Sequence, residues 1–286
     1  MAYPQLSISE TTTHPASYEQ DLAAYSAAGL DGIGIWEYKL PNGQDGRLID
    51  ELTESKLLAS TCVPRTPSII PEPFFPEPID PASRRKALCA AIRRFAPFKP
   101  ASIMVLAGPA GDDPAASRRH VVEGLRAAAD VAGEVGIPLG LEPYRRGAGS
   151  MITTLPETIE MIEDIGAPNI KIIYDTWHFW DQPDVLSLLR KHVDRLTCIQ
   201  VNDWRDPVRG WADRRLPGDG KIDLPAIFGA LDGAGFDGWY DVEVFSDNGS
   251  FGNKWPDSIW DLPPDEAARR SIKGFREAWD KRVKEA

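Results

Sequence analysis

Cysteine is scarce in this chain: Cys62, Cys89 and Cys198 are the only three in 286 residues, and they sit at no metal-finger spacing. An odd count argues against a disulfide framework, and Cys62 and Cys198, inside apolar runs, read as buried thiols of a reducing compartment. Basic charge is also in deficit, with 32 Lys and Arg against 43 Asp and Glu, a net charge of -11 and a pI near 4.9. A uniformly acidic surface repels phosphate backbones, which argues against nucleic acid as a partner. No apolar stretch approaches the length needed to cross a bilayer, and Met1-Ala2-Tyr3-Pro4 lacks the basic and apolar parts of a signal peptide. No glycine-rich dinucleotide fingerprint follows the first strand, and no low-complexity linker divides the chain. The expectation is a cytoplasmic enzyme with no membrane partner.

What the chain does contain is an ordinary globular composition, 42% hydrophobic and 26% charged, which supports a sizeable core. Its length suits one (β/α)8 TIM barrel of roughly 250 residues, here expected as a single domain over residues 1–286. Hydrophobic patterning alternates strand and helix throughout. Strands are expected at 5–9, 32–36, 57–63, 102–106, 137–142, 170–175, 196–201 and 238–244. Helices are expected at 18–28, 47–54, 82–95, 115–135, 155–165, 185–192 and 224–234, with a closing helix at 263–285. Residues 64–81, rich in proline and carrying Phe74-Phe75, read as a loop over the barrel top or a structural cover, and residues 203–223 as a long polar loop.

The stretch Ile172-Ile173-Tyr174-Asp175-Thr176-Trp177-His178 organises the rest. A buried strand there ends in a carboxylate with few routes to water, which is expensive unless a cation or donors compensate it. Three other strand-like runs end in an oxygen donor: Leu141-Glu142, Ile199-Gln200 and Val242-Glu243. Singly, a glutamate at a strand end is usually a solvated cap or an ion-pair partner, and Gln200 reads equally well as a buried amide. Strand ends five to eight are neighbours on one rim of a barrel, however. Three carboxylates and an amide meeting there would repel without a cation, which points to Mn2+ or Mg2+, with Co2+ as a substitute in vitro. An arginine or lysine filling that pocket in place of an ion would argue against the chemistry.

Around this core, His178 could contact a substrate, steady a ligand or simply start a helix. Arg214, on a turn-rich loop, could reach an anionic or polyhydroxyl ligand or remain a solvated charge. Trp36 and Glu37, with Trp177 and Trp204, could wall a sugar pocket, although core packing explains any one aromatic as well. His14, His120 and His192 read as surface residues.

The segments Leu141-Glu142-Pro143, Asp175-Thr176-Trp177-His178, Gln200-Val201-Asn202-Asp203 and Arg214-Arg215-Leu216-Pro217-Gly218-Asp219-Gly220, with the strand bearing Glu243, resemble the xylose isomerase-like TIM-barrel superfamily in order and separation. They look like its sugar phosphate isomerase/epimerase branch, which includes ketose 3-epimerases, hydroxypyruvate isomerases, inositol-pathway enzymes and dehydroshikimate dehydratases. The resemblance implies that Glu142, Asp175, Gln200 and Glu243 hold the metal, that Glu142 and Glu243 exchange protons with substrate, and that His178 and Arg214 hold substrate oxygens. Gln200 stands where the epimerases carry histidine, and where isomerase-like and dehydratase-like members carry glutamine. Endonuclease IV shares the barrel but uses a histidine-rich three-zinc site, whose residues this chain lacks.

The expected activity is therefore a divalent-metal-dependent isomerase or epimerase of a keto-sugar or polyol, working by proton abstraction beside a polarised carbonyl through an enediolate. A lyase of the same family, a dehydratase or a subunit cleaving 3-keto-glycosides, is the alternative, and a non-catalytic sugar-binding barrel the rival from another class. A homo-oligomer or a separate partner subunit stays open.

Overall fold

The eight apolar runs form parallel strands, Leu6–Ser9, Gly32–Trp36, Leu58–Val63, Ser102–Leu106, Leu139–Glu142, Ile170–Asp175, Leu196–Val201 and Trp239–Val242. Each pairs with the next and the last pairs with the first, so the sheet closes into a barrel with helices between its strands. The computed structural model of the chain describes residues 3–145 and 149–283. Among them no helix is long and apolar enough to cross a membrane. The strands lack the polar alternation of a half-exposed sheet because the barrel interior covers one face and the helices the other. Ile8, Ile33, Ile103, Leu139, Ile172 and Val242 are fully buried accordingly.

Several helices start earlier than periodicity alone suggests. Asp80 and Asp113 cap helices Pro81–Phe95 and Pro114–Glu134, accepting from Ser83 N and Ala116 N, and the proline in each first turn has no N–H to satisfy. Strand eight is shorter than expected and stops at Val242, which puts Glu243 at the rim. The closing helix runs over Pro264–Asp280 in place of 263–285, and residues 284–285 lie outside the described residues. The expected polar loop 203–223 contains a small antiparallel ribbon, Asp203–Trp204 against Arg214–Arg215. Asp203 gathers the backbone N–H groups of Gly218, Gly220 and Ile222 at 2.8 to 3.0 Å, which shapes the chain after Arg214 into a fixed turn.

That turn rests on the closing helix. A Cβ built on Gly274 would stand 1.8 Å from the Pro217 carbonyl oxygen, so only glycine lets the two backbones meet. Gly274→Ala is expected to lower stability by about 1–3 kcal/mol through this clash, read as a lower urea midpoint; an unchanged midpoint would contradict the contact. A second expectation concerns Glu10, which follows strand one, is fully buried and accepts the Trp36 backbone N–H at 2.7 Å. Burial pushes its carboxyl up to about 8, against the pull of Lys39. The native state therefore holds a proton that the unfolded chain releases above its ordinary value near 4.5, and stability falls as pH rises from there through about 8. Glu10→Gln should remove one proton's share of that slope, about 1.4 kcal/mol per pH unit, in unfolding curves measured across this range.

Candidate active site

Asp175 closes strand six and caps the one-turn helix Thr176–Phe179. Its Oδ1 accepts the Trp177 N–H and the Asn202 amide, both at 2.8 Å, and its Oδ2 accepts Arg214 Nη1 at 2.7 Å. Burial alone would raise this carboxyl, but Arg214, His178, Asn202 and the Trp177 N–H hold it below the usual aspartate range, so it stays ionised. His178 Nε2 lies 3.7 Å from Asp175 Oδ2.

Glu142 ends strand five and no hydrogen bond reaches its carboxylate from the described residues. Burial, then the charges of Glu243 and Asp175, push it well above the ordinary glutamate value. Glu243 sits just past strand eight, where burial and Asp175, opposed by Arg214, push it up to about 8. Ser9 Oγ lies 3.3 Å from Glu243 Oε1 and accepts the Trp36 indole N–H at 2.8 Å, so Trp36 steadies Glu243 through one hydroxyl. One ligand atom from each of Glu142, Asp175 and His178 falls within 4.8 Å of the others.

Gln200 is the register partner of Asp175 on one side and of Asp241, two residues below Glu243, on the other. It is fully buried, its Nε2 is 4.0 Å from Met104 Sδ, and its Oε1 has no hydrogen-bond partner among the described residues. Leaving such an oxygen unsatisfied costs about 1–3 kcal/mol. Carboxylates that raise one another's pKa, an imidazole among them and an orphaned amide oxygen form a donor set that fits a divalent cation.

Arg214 enters this site without filling it. Its guanidinium carbon stands 4.8 Å from the Trp177 ring and 4.7 Å from the Phe245 ring, and its one side-chain hydrogen bond among the described residues goes to Asp175. Glu142 and Glu243 have no ion pair among the described residues. Above these groups opens a cavity of about 680 Å³ lined by Glu142, His178, Arg214, Glu243 and a wall of aromatic rings that includes Trp36, Phe74 and Trp211.

Other expectations need correction. Glu37 is taken up by Arg65 N at 2.8 Å and Arg94 Nη1 at 3.2 Å and does not line the cavity. Trp204 packs behind Trp177 at 5.2 Å between ring centroids. His14 is half-buried, with Nδ1 2.8 Å from Tyr38 Oη and its ring stacked 4.4 Å from Trp260, because the aromatic rim closes over it. His192 is half-buried too, whereas His120 is exposed. Two neighbours of the site escaped notice. Asn202 is two residues beyond Gln200, hence on the same strand face, and ties Asp175 Oδ1 to the Glu243 carbonyl at 2.8 and 3.0 Å. Glu72 carries no local signal, since only the folded loop brings it to the cavity.

Residues 22–278 match the family model for the xylose isomerase-like TIM barrel. An inosose dehydratase of Geobacillus thermodenitrificans is 30% identical over 142 residues, covering 44% of this chain and 47% of that protein. A D-psicose 3-epimerase of Enterocloster bolteae is 29% identical over 171 residues, covering 58% and 54%. The chain thus spans about half the length of these curated relatives. Among solved structures, the IolI protein with a bound zinc atom superposes with a TM-score of 0.78 at 19% identity, covering 98% of this chain and 99% of that one, which is a likeness of fold. With the family match running through nearly the whole closed barrel, the chain belongs to the xylose isomerase-like TIM barrel family.

Proposed function

We propose that this protein is a divalent-metal-dependent isomerase or epimerase of a keto-sugar or related polyol, acting within one barrel domain. The observation that carries the reading is the approach of Glu142, Asp175 and His178 to within 4.8 Å of one another, with Glu243 lining the same aromatic-walled cavity as Glu142 and His178 and the Gln200 Oε1, unpartnered among the described residues, on the strand beside Asp175. Glu142, Asp175, Gln200 and Glu243 would hold Mn2+ or Mg2+, with Co2+ as a substitute, and the zinc bound in the IolI structure, a protein of the same fold, supports a metal. When bound, the ion supplies Lewis acidity that polarises a carbonyl and weakens the neighbouring C–H.

The side chains do the rest. Glu142 and Glu243 come from strands five and eight, with strands six and seven between them, so they reach a ligand from different directions. One, ionised, would take the C–H proton and the other would return one. Return to the same carbon from the other side gives epimerisation, and return to the adjacent carbon gives isomerisation. Arg214, fixed by Asp175 and two rings, and His178 hold substrate oxygens, while Trp36 offers a flat apolar face to the sugar carbons. Gln200 and the resemblance to an inosose dehydratase favour a second reading in which the same proton abstraction is followed by loss of a β-leaving group.

Incubation with D-psicose, L-ribulose and hydroxypyruvate in D2O with Mn2+ should place deuterium in the recovered substrate. Glu142→Gln and Glu243→Gln should each slow this roughly 100- to 10,000-fold with folding intact. Retention of full activity after chelator treatment would exclude the metal, and an ultraviolet-absorbing enone without deuterium uptake would favour the lyase. Binding of Mn2+ should itself raise unfolding free energy by about 2.7 kcal/mol at a hundredfold excess over Kd, seen as a higher Tm. Asp175→Asn should abolish that rise, and an equal rise in both proteins would place the ion elsewhere.

A further inference from the structure

One carboxyl in the cavity has no part in the chemistry above. Glu72 lies on the segment between strand three and helix Pro81–Phe95, is 5% exposed and lines the same cavity as Glu142 and His178. Its Oε2 accepts the Tyr144 hydroxyl at 2.9 Å, and its Oε1 is buried with no hydrogen-bond partner among the described residues. The neighbouring donors Ser68 and Arg84, which both act on this carboxyl, also make hydrogen bonds elsewhere. Arg84, fully buried, spends its guanidinium on Ser68 O, Ser68 Oγ, Phe75 O and Pro78 O at 2.7 to 2.9 Å. The Ser68 hydroxyl donates to Ile70 O at 2.8 Å.

Those contacts also make the segment rigid, since Arg84 ties its two ends together and Phe75 N closes a turn on Glu72 O at 3.0 Å. Glu72 is therefore held in place, as a group that reads a ligand must be. A carboxyl that served only to anchor Tyr144 would need one oxygen, and its second would be expected to face solvent or a backbone N–H. It does neither. Among the described residues no hydrogen bond reaches that oxygen, a donor entering the cavity would supply one, and the ligand class proposed above is rich in hydroxyl donors.

We propose that Glu72, positioned by Tyr144, accepts a hydrogen bond from a substrate hydroxyl on the strand-three and strand-four side of the cavity, and so selects longer polyols over short keto-acids. This rests on the proposed function, because the carboxylate cluster spanning strands five to eight fixes where the carbonyl end of the substrate lies. A three-carbon ligand held there leaves Glu72 unmet, whereas a six-carbon ketose carries hydroxyls beyond the reacting carbons.

The test compares D-psicose with hydroxypyruvate in the unsubstituted protein and in Glu72→Ala, Glu72→Gln and Tyr144→Phe, following deuterium uptake with Mn2+. Glu72→Ala is expected to lose roughly 10- to 100-fold more kcat/KM on D-psicose than on hydroxypyruvate, mostly through KM, with Glu72→Gln and Tyr144→Phe between. Equal losses on both substrates, or a loss in kcat alone, would overturn the proposal by reducing Glu72 to a structural anchor. Should the alanine variant fail to fold, the near-isosteric Glu72→Gln decides, with its Tm as the control. If the unsubstituted protein turns over neither substrate, the proposed function fails, and calorimetry of D-psicose binding still judges Glu72. Weaker binding by Glu72→Gln would support its role, and unchanged or absent binding would sink it.

Discussion

Holding Glu142, Asp175 and Glu243 together out of water is the constraint to which the rest of this molecule answers. Two like charges about 4 Å apart repel by about 4 kcal/mol even at an effective dielectric of 20, and burial adds a further penalty to each. The protein answers with specific contacts. Asp175 takes the strongest share, two hydrogen bonds on one oxygen and a guanidinium on the other, and stays ionised. Glu243 has only a serine hydroxyl, and Glu142 no hydrogen bond from the described residues. The carboxylate with the most donors has the depressed pKa and the two with the fewest have raised ones, as differential solvation requires.

Placing those donors falls to loops, and each is shaped by a buried charged group that collects backbone or side-chain partners. Asp203 draws in the N–H groups of Gly218, Gly220 and Ile222. Asp213, next to Arg214, takes Arg205 Nε at 2.8 Å and Arg209 Nη2 at 2.7 Å, and both arginines also reach Asp257. Arg84 does the converse, serving carbonyls across residues 68–78. Each such group would be costly alone, but hydrogen-bonded in full it fixes a loop whose own contacts are few. The barrel supplies rigid strand ends, and these polar hubs carry that rigidity to the rim.

This division explains what could be read from the sequence. The strands were legible because burial on both faces leaves long apolar runs, and Asp175, Glu142 and Glu243 stood out as the charges that interrupt them at strand ends. Helix starts were off by a residue where Asp80-Pro81 and Asp113-Pro114 set the boundary in place of the apolar repeat. The ribbon of Asp203–Trp204 and Arg214–Arg215 left no pattern, since two-residue strands are too short for one. Glu72 and His14 were illegible for a related reason: a loop side chain's neighbours are chosen by hubs far away in sequence. Glu72 meets Tyr144 across 72 residues, and His14 stacks on Trp260.

The presence of Arg214 beside Asp175 bears directly on whether a cation belongs in the same site. Had the guanidinium bridged all three carboxylates, it would have been the site's own counter-ion and left no room for a metal. Among the described residues it hydrogen-bonds one of them, through one nitrogen, and its Nε is buried without a hydrogen-bond partner. Charge counting then separates the alternatives. With all three carboxylates ionised, one guanidinium would leave a deficit of two positive charges, which a divalent ion would close and a second arginine would not. A neutral amide at Gln200 adds a ligand oxygen without adding charge, which keeps that balance, whereas a fourth carboxylate would restore the deficit. Arg214 and a divalent cation are on this argument compatible in one site, the first setting the ionisation of Asp175 and the second able to balance Glu142 and Glu243.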